Sequence, residues 1–196
     1  CKTLSLEEPN YAYAGARFVL SNVYRDAFGH KIVDSRFEED YKKAFIANTK
    51  LLVEQGILTP KCLEVFDLEA LAENLKPERD LLFKQIGIQT LQDAYLQHVD
   101  KRRVETPQAF WMRVAMGLCL KEKKPEELAV QAYEILSTFR IVPSSPTLFN
   151  SCTVRSQLSS CFLTQIDDSI DGIFGHLHQQ AKLSKYAGGL SCDISN

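Results

Sequence analysis

Apolar positions recur at helical spacing through most of the chain's first two-thirds. Between residues 9 and 29, Tyr13, Ala16, Phe18, Leu20, Val23, Tyr24 and Phe28 keep the period of an amphipathic helix. Pro9 suits its first turn and Gly29 its end. The pattern repeats from Phe37 to Gln55 through Tyr41, Phe45, Leu51 and Leu52, with Gly56 as the stop. A shorter helix is expected from Leu68 to Leu75, with Asp67 as N-cap and Pro77 beyond its end, and Glu78 to Phe83 adds another turn or two. From 87 to 106 the period breaks. Val99-Asp100-Lys101-Arg102 fits a short hairpin or a helix tail, and the hairpin is preferred. Thr106-Pro107 then opens a nearly apolar helix through Cys119, carrying Phe110, Trp111, Val114, Met116 and Leu118, which belongs at the centre of the core. Pro125 to Phe139 predicts the next helix, with Glu126 and Glu127 in its first turn and Arg140 at its end.

After residue 142 the pattern changes. Pro143 to Cys161 reads as a polar, hydroxyl-rich loop, Cys161 to Ile166 as a buried strand, and Asp167-Asp168-Ser169 as a turn and cap. Ile170 to Tyr186 predicts a helix with Ile173, Leu177, Ala181 and Leu183 inward. Ala187-Gly188-Gly189 breaks it, and Leu190 to Ser195 begins another strand. Strand, helix, strand is the pattern of a parallel sheet or barrel. Two domains are therefore expected: a helical one over 1–142 and the start of an α/β one over 143–196, mainly α overall.

The 196 residues are 45% hydrophobic and 24% charged, an ordinary globular mix able to bury a core. A formal charge of -2 argues against a nucleic-acid binder or a polybasic membrane surface. No run of 18 apolar residues suggests a transmembrane helix, and Cys1 to Glu8 lack a signal peptide's apolar core. The cysteines are too sparse for a disulfide scaffold, so a cytoplasmic, reducing setting is expected. The chain begins without Met and reads as a fragment. Its six cysteines form no Cys-x-x-Cys pair and no zinc-finger spacing with histidine. His176 and His178 point to different faces of one helix, so no metal site is expected.

Cys161 is the strongest chemical candidate, a thiol where a loop enters a strand beside Ser159 and Ser160. A buried core cysteine is the competing reading. A redox role requires a second thiol, for which Cys152 and Cys192 are both open. Ala187-Gly188-Gly189 either stops a helix or lets backbone approach a ligand. Asp168-Ser169 either caps a helix or binds a ribose.

Ser-Ser-Pro-Thr-Leu-Phe-Asn (144–150), Gln-Leu-Ser-Ser-Cys-Phe-Leu (157–163), Asp-Asp-Ser-Ile-Asp-Gly-Ile (167–173) and Ser-Lys-Tyr-Ala-Gly-Gly (184–189) together resemble the large, catalytic subunit of class I ribonucleotide reductase. Pro9 to Arg17 resembles the first helix after that family's ATP-cone. The resemblance implies an N-terminal helical region followed by the first strand-helix-strand of a ten-stranded α/β barrel. It implies deoxyribonucleotide synthesis for DNA replication, by thiol and radical chemistry. In that likeness Cys161 is the redox-active thiol that becomes half of a disulfide. Ser145, Ser160, Cys161 and Gly189 resemble substrate contacts. Asp168, Ser169, Ile170 and Lys185 resemble the segment that holds an allosteric deoxynucleotide (or ATP) effector at the dimer interface.

The implied partners are the remaining part of the large subunit, a second large subunit, a metal-containing small subunit that generates the radical, thioredoxin or glutaredoxin, and the nucleotide substrate. No cofactor is expected on this stretch itself. Leu190-Ser191-Cys192 departs from relatives that continue with an apolar residue and another glycine. The radical-forming loop, the disulfide partner of Cys161 and the C-terminal thiol pair are not in these residues. The chain is therefore expected to be inactive alone, as a piece of a split subunit or a segment of a longer chain. Two alternatives remain: an adenosylcobalamin-dependent class II reductase fragment, and a non-catalytic nucleotide-binding or assembly module.

Overall fold

The structure, a computed structural model, describes residues 8–185 and 188–194. Its contacts divide the chain into two compact units. One runs to Val142 and takes in Cys152–Val154. The other comprises Pro143–Ser151 and the residues from Arg155 onward.

The first unit is helical. Helices α1 (Tyr11–Phe28) and α2 (Phe37–Glu54) form where the apolar period predicts them. Gly29 ends α1 with φ 72°, a left-handed turn that lets its N–H bond Arg25 O. Short helices α3 (Lys61–Val65), α4 (Leu68–Glu73) and α5 (Gln85–Thr90) follow. Asp67 caps α4 as expected, its carboxylate accepting the Glu69 and Ala70 N–H groups. A 3₁₀ turn covers Pro77–Leu82. The broken stretch resolves as α5, a π-turn over Leu91–Tyr95, and an antiparallel hairpin of β1 (His98–Val99) and β2 (Arg102–Arg103). Asp100 and Lys101 both take positive φ at its tip, as a two-residue hairpin turn requires. Helix α6 (Pro107–Cys119) is buried along nearly its whole length, and α7 (Pro125–Ser137) packs against it. Thr106 occupies the N-cap position, but its hydroxyl makes no capping bond.

Two polar residues of α6 are as buried as its apolar ones. Gln108 donates to Asp80 at 2.7 Å and accepts from the Tyr133 hydroxyl at 2.7 Å. Tyr24 and Tyr41 donate to the other Asp80 oxygen at 2.8 Å each. Burial outweighs these three donors and lifts the Asp80 carboxyl to about 7. Arg113 meets Glu105 at 2.6 Å in a second buried pair, and Glu105 also accepts the Gln97 N–H at 2.8 Å. The Asp80 partners come from distant stretches of chain, so that network fixes how the helices stack as well as filling polar valences.

The second unit contains α8 (Ser145–Asn150), β3 (Cys161–Gln165), α9 (Ile170–Lys185) and β4 (Gly189–Asp193). The stretch read as loop thus carries a short helix, opened by Ser144-Ser145-Pro146. Strands β3 and β4 pair in parallel, Cys161 opposite Gly189 and Gln165 opposite Asp193. Two expectations fail here. Strand β3 is not buried: Cys161, Leu163 and Gln165 on one face are exposed, Leu163 at 83%. Helix α9 does not turn Ile173 and Leu177 inward. His176 is buried, and Gln180 donates to the Thr164 hydroxyl of β3 at 2.8 Å, which sets the helix's rotation. Ile170, Ile173, Phe174 and Leu177 therefore form an exposed apolar stripe on another face. Tyr186, Ala187 and Ser195, in the predicted helix end, glycine break and strand end, lie outside the described residues, as does Cys1. In the first unit, Phe18 and Tyr13 also face outward, where the helical period had placed them with the core.

Candidate functional site

Side chains alternate across a strand, and paired residues of a parallel ladder share a face. Thr164 is held by α9, so Phe162, Thr164 and their partners Leu190 and Cys192 take the helix side. Cys161, Leu163, Gly189 and Ser191 take the open side. The candidate thiol thus stands exposed on the face without a helix, at the first position of its strand.

Cys161 has close neighbours. The Ser160 hydroxyl donates to its sulfur at 3.6 Å, and the Gly189 N–H donates to Ser160 O at 2.7 Å. A Cβ on Gly189 would lie 3.0 Å from Ser160 O and 4.0 Å from the Cys161 sulfur. Glycine is what keeps the space in front of the thiol open. Gly188 serves packing instead, because a Cβ there would strike the Phe162 ring.

Two contacts place Ser145 in the same unit. On α8, Thr147 donates to Leu158 O at 3.1 Å and Asn150 to Gln157 O at 2.8 Å, pinning the helix beside the approach to Ser160 and Cys161. These two positioning residues were not singled out in the sequence. The only trace they leave there is their membership of the 144–150 motif.

The two candidate partner thiols have surroundings of their own. Cys192 lies opposite Thr164, three positions along the ladder and on the other face, roughly 10 Å away along the strand. A disulfide needs Cα atoms within roughly 7 Å and converging Cβ vectors. Cys152 belongs to the helical unit, where it is buried next to the Leu58–Thr153 bridge.

Asp168, Ser169 and Ile170 are exposed at the start of α9. The Ser169 hydroxyl accepts the Gly172 N–H at 3.0 Å, so Ser169 is the residue that caps the helix. Asp168 borders an open depression of about 330 Å³ with Ile166, Asp167, Ile173 and Ile194, beyond the carboxyl ends of the strands. Lys185 lies at the far end of α9, 16 residues long and therefore roughly 24 Å in length. The structure does not bring Lys185 to Asp168 within one chain. Among the described residues no group of three His, Cys, Asp or Glu side chains could hold a metal ion, and no helix is long and apolar enough to cross a membrane.

Family models match the chain from residue 81 onward. Residues 81–156 match the ribonucleotide reductase all-alpha domain, and residues 159–196 match the ribonucleotide reductase barrel domain. The chain belongs to the ribonucleotide reductase family. It is 44% identical over 190 residues to the ribonucleoside-diphosphate reductase subunit alpha of Chlamydia muridarum, an alignment covering 95% of this chain and 18% of that protein. Against the alpha subunit of Helicobacter pylori strain 26695 it is 36% identical over 193 residues, 98% of this chain and 23% of the relative. Against the large subunit of Monkeypox virus it is 35% identical over 198 residues, 99% and 24% respectively. The chain thus spans about a quarter or less of the length of these curated relatives. The expected architecture, a helical region followed by the first strand-helix-strand of the reductase barrel, is the one found.

Proposed function

We propose that this chain forms part of the large subunit of a ribonucleoside-diphosphate reductase and supplies one wall of its substrate site. The observation that carries the proposal is the placement of Cys161. Its thiol faces the side of the ladder opposite the helix, the side that becomes the interior when such a sheet closes into a barrel. In this reading Cys161 gives an electron and a proton to the reacting ribose and ends as half of a disulfide. Ser145 and Ser160 hold the substrate's polar groups, and the Gly189 backbone admits it. A two-stranded ladder with one open face encloses nothing, so turnover needs further strands to carry the second thiol and the radical-forming residue.

The nucleotide effector fits the depression at Asp168, whose carboxylate accepts a hydrogen bond from a sugar hydroxyl, while Ser169 and Ile170 shape its edge. Lys185 meets a phosphate only if a second copy supplies it, since α9 separates the two ends. The apolar stripe Ile170, Ile173, Phe174 and Leu177 supports such a pairing of large subunits. The relatives' names, subunit alpha and large subunit, support a partner that generates the radical over the adenosylcobalamin-dependent alternative. Thioredoxin or glutaredoxin would reduce the resulting disulfide, in a cytoplasmic setting.

The test is deoxynucleotide formation by this chain assembled with the rest of its subunit and the radical-generating partner. Cys161→Ser is expected to abolish turnover driven by the physiological reductant. Unchanged turnover would instead favour a non-catalytic nucleotide-binding or assembly role, and turnover by the isolated polypeptide would refute the wall-of-a-site reading.

A further inference from the structure

Two buried thiols have no part in the reading above. Cys62 on α3 and Cys152 are fully or almost fully buried, and both are free. Backbone bonds clamp their segments together. The Thr59 N–H donates to Cys152 O at 3.0 Å, the Val154 N–H to Ile57 O at 3.1 Å, and Leu58 bridges Thr153 in antiparallel fashion. Cys62 lies three residues beyond Thr59 and folds its sulfur back to the Thr59 carbonyl at 2.9 Å. The bridge thereby brings the two cysteine-bearing segments side by side, close enough for the thiols to perturb one another electrostatically.

Cys152 takes φ 64°, a left-handed conformation that glycine adopts freely and a residue with a Cβ adopts only at a penalty. Glycine would make this turn with less strain. A buried cysteine held there against a second thiol suggests that the sulfur has a use.

We infer that Cys62 and Cys152 form a reversible disulfide that staples residues 152–154 to the helical unit, nine residues ahead of Cys161. The inference stands apart from the proposed catalytic role, because neither thiol belongs to the Cys161 site. The oxidant is a peroxide. A Cys62 thiolate attacks hydrogen peroxide, giving a sulfenic acid and hydroxide. Cys152 sulfur then attacks the sulfenic sulfur, the S–S bond forms, and the hydroxyl leaves as water with the Cys152 proton. Two electrons pass from the thiols to the peroxide, and a dithiol reverses the bond. The neighbouring thiols set the roles: the adjacent Cys152 holds the Cys62 pKa down, while Cys62 and burial push Cys152 up. Access comes through opening of the short clamp, which two backbone hydrogen bonds hold.

The bond would close a loop of about 90 residues, long enough to restrict the unfolded chain strongly. The experiment uses protein carrying Cys161→Ser and Cys192→Ser, so that the exposed thiols do not compete. It is treated with hydrogen peroxide at levels that oxidise Cys161 in the unsubstituted protein, then alkylated under denaturing conditions and digested. A peptide joining Cys62 to Cys152, two hydrogens lighter than the sum, is expected. With it the Tm should rise by roughly 5–10 °C, return on dithiothreitol treatment, and fail to rise after added Cys152→Gly, which suits the turn, or Cys62→Ala. Recovery of both thiols alkylated, a bond from either to another cysteine, or a Tm rise that survives Cys152→Gly would overturn the staple.

Discussion

The two units bury their polar and apolar groups in opposite ways. In the helical unit α6 is enclosed on almost every side, and even its Gln108 and Arg113 are sealed against Asp80 and Glu105. In the strand-helix-strand unit α9 buries only His176 among its residues, and the strands leave one face open. The contrast separates two kinds of information. The helical unit carries most of what it needs to hold its shape. The other unit holds a local geometry, thiol against glycine and helix against threonine, while its larger apolar surfaces face outward. Its stability is therefore expected to depend little on those surfaces in isolation.

The sharpest way to break this comparison is to delete equivalent bulk from each unit. Phe110→Ala is expected to cost about 3–5 kcal/mol, because a fully buried ring leaves a cavity. Leu163→Ala, at an exposed position, is expected to stay within about 0.5 kcal/mol. Urea denaturation of the two variants compares them directly, and similar losses would mean that the open face is packed in solution.

A second test uses pH. Asp80 has its folded pKa raised to about 7 from 3.8, chiefly by burial. Its contribution to stability is thus fully present below 3.8 and is lost as pH rises through about 7. Tyr24 and Tyr41, which face it, are themselves pushed upward and stay protonated throughout. Tyr133 is pushed upward too, and Glu78 adds only repulsion. Between pH 5 and 7, stability relative to Asp80→Asn should fall by roughly 2–3 kcal/mol. A constant difference would show that the carboxyl does not titrate there.

The smallest effects sharpen the comparison at matched caps. Asp67→Ala removes an acceptor for two N–H groups and should cost about 1 kcal/mol. Ser169→Ala removes an acceptor for one, on a helix with little buried surface, and should cost about 0.5 kcal/mol. Thermal melts of the two resolve the order.

Periodicity revealed the elements better than their orientation. The long helices, the Asp100-Lys101 hairpin and the strand-helix-strand unit were legible because caps, turn residues and spacing are local signals. Which face of α9 turns inward was not legible. That choice is made by Gln180 reaching Thr164 and by burial of His176, neither of which an apolar count includes. The Asp80 network joins residues from Tyr24 to Tyr133, and no window of sequence contains it. At the candidate site, Cys161 and the Gly188-Gly189 break were legible locally and family likeness gave them roles, whereas the facing of Cys161 and Gly189 is a property of register. The pairing of Cys62 with Cys152 left no local trace beyond the cysteines themselves.

That register makes chain length between the strands a fixed quantity. Cys161 meets Gly189 only while β4 keeps its phase on β3. A slip of one residue would set Leu190 or Gly188 opposite the thiol and send every β4 side chain to the other face. Insertions between Ile166 and Gly188 are therefore tolerated only where they bulge out as extra loop. The segment acts as a spacer whose tolerance is set by the pleat of the sheet, and a length change that shifts the phase would close the space before the sulfur without altering any residue of the site.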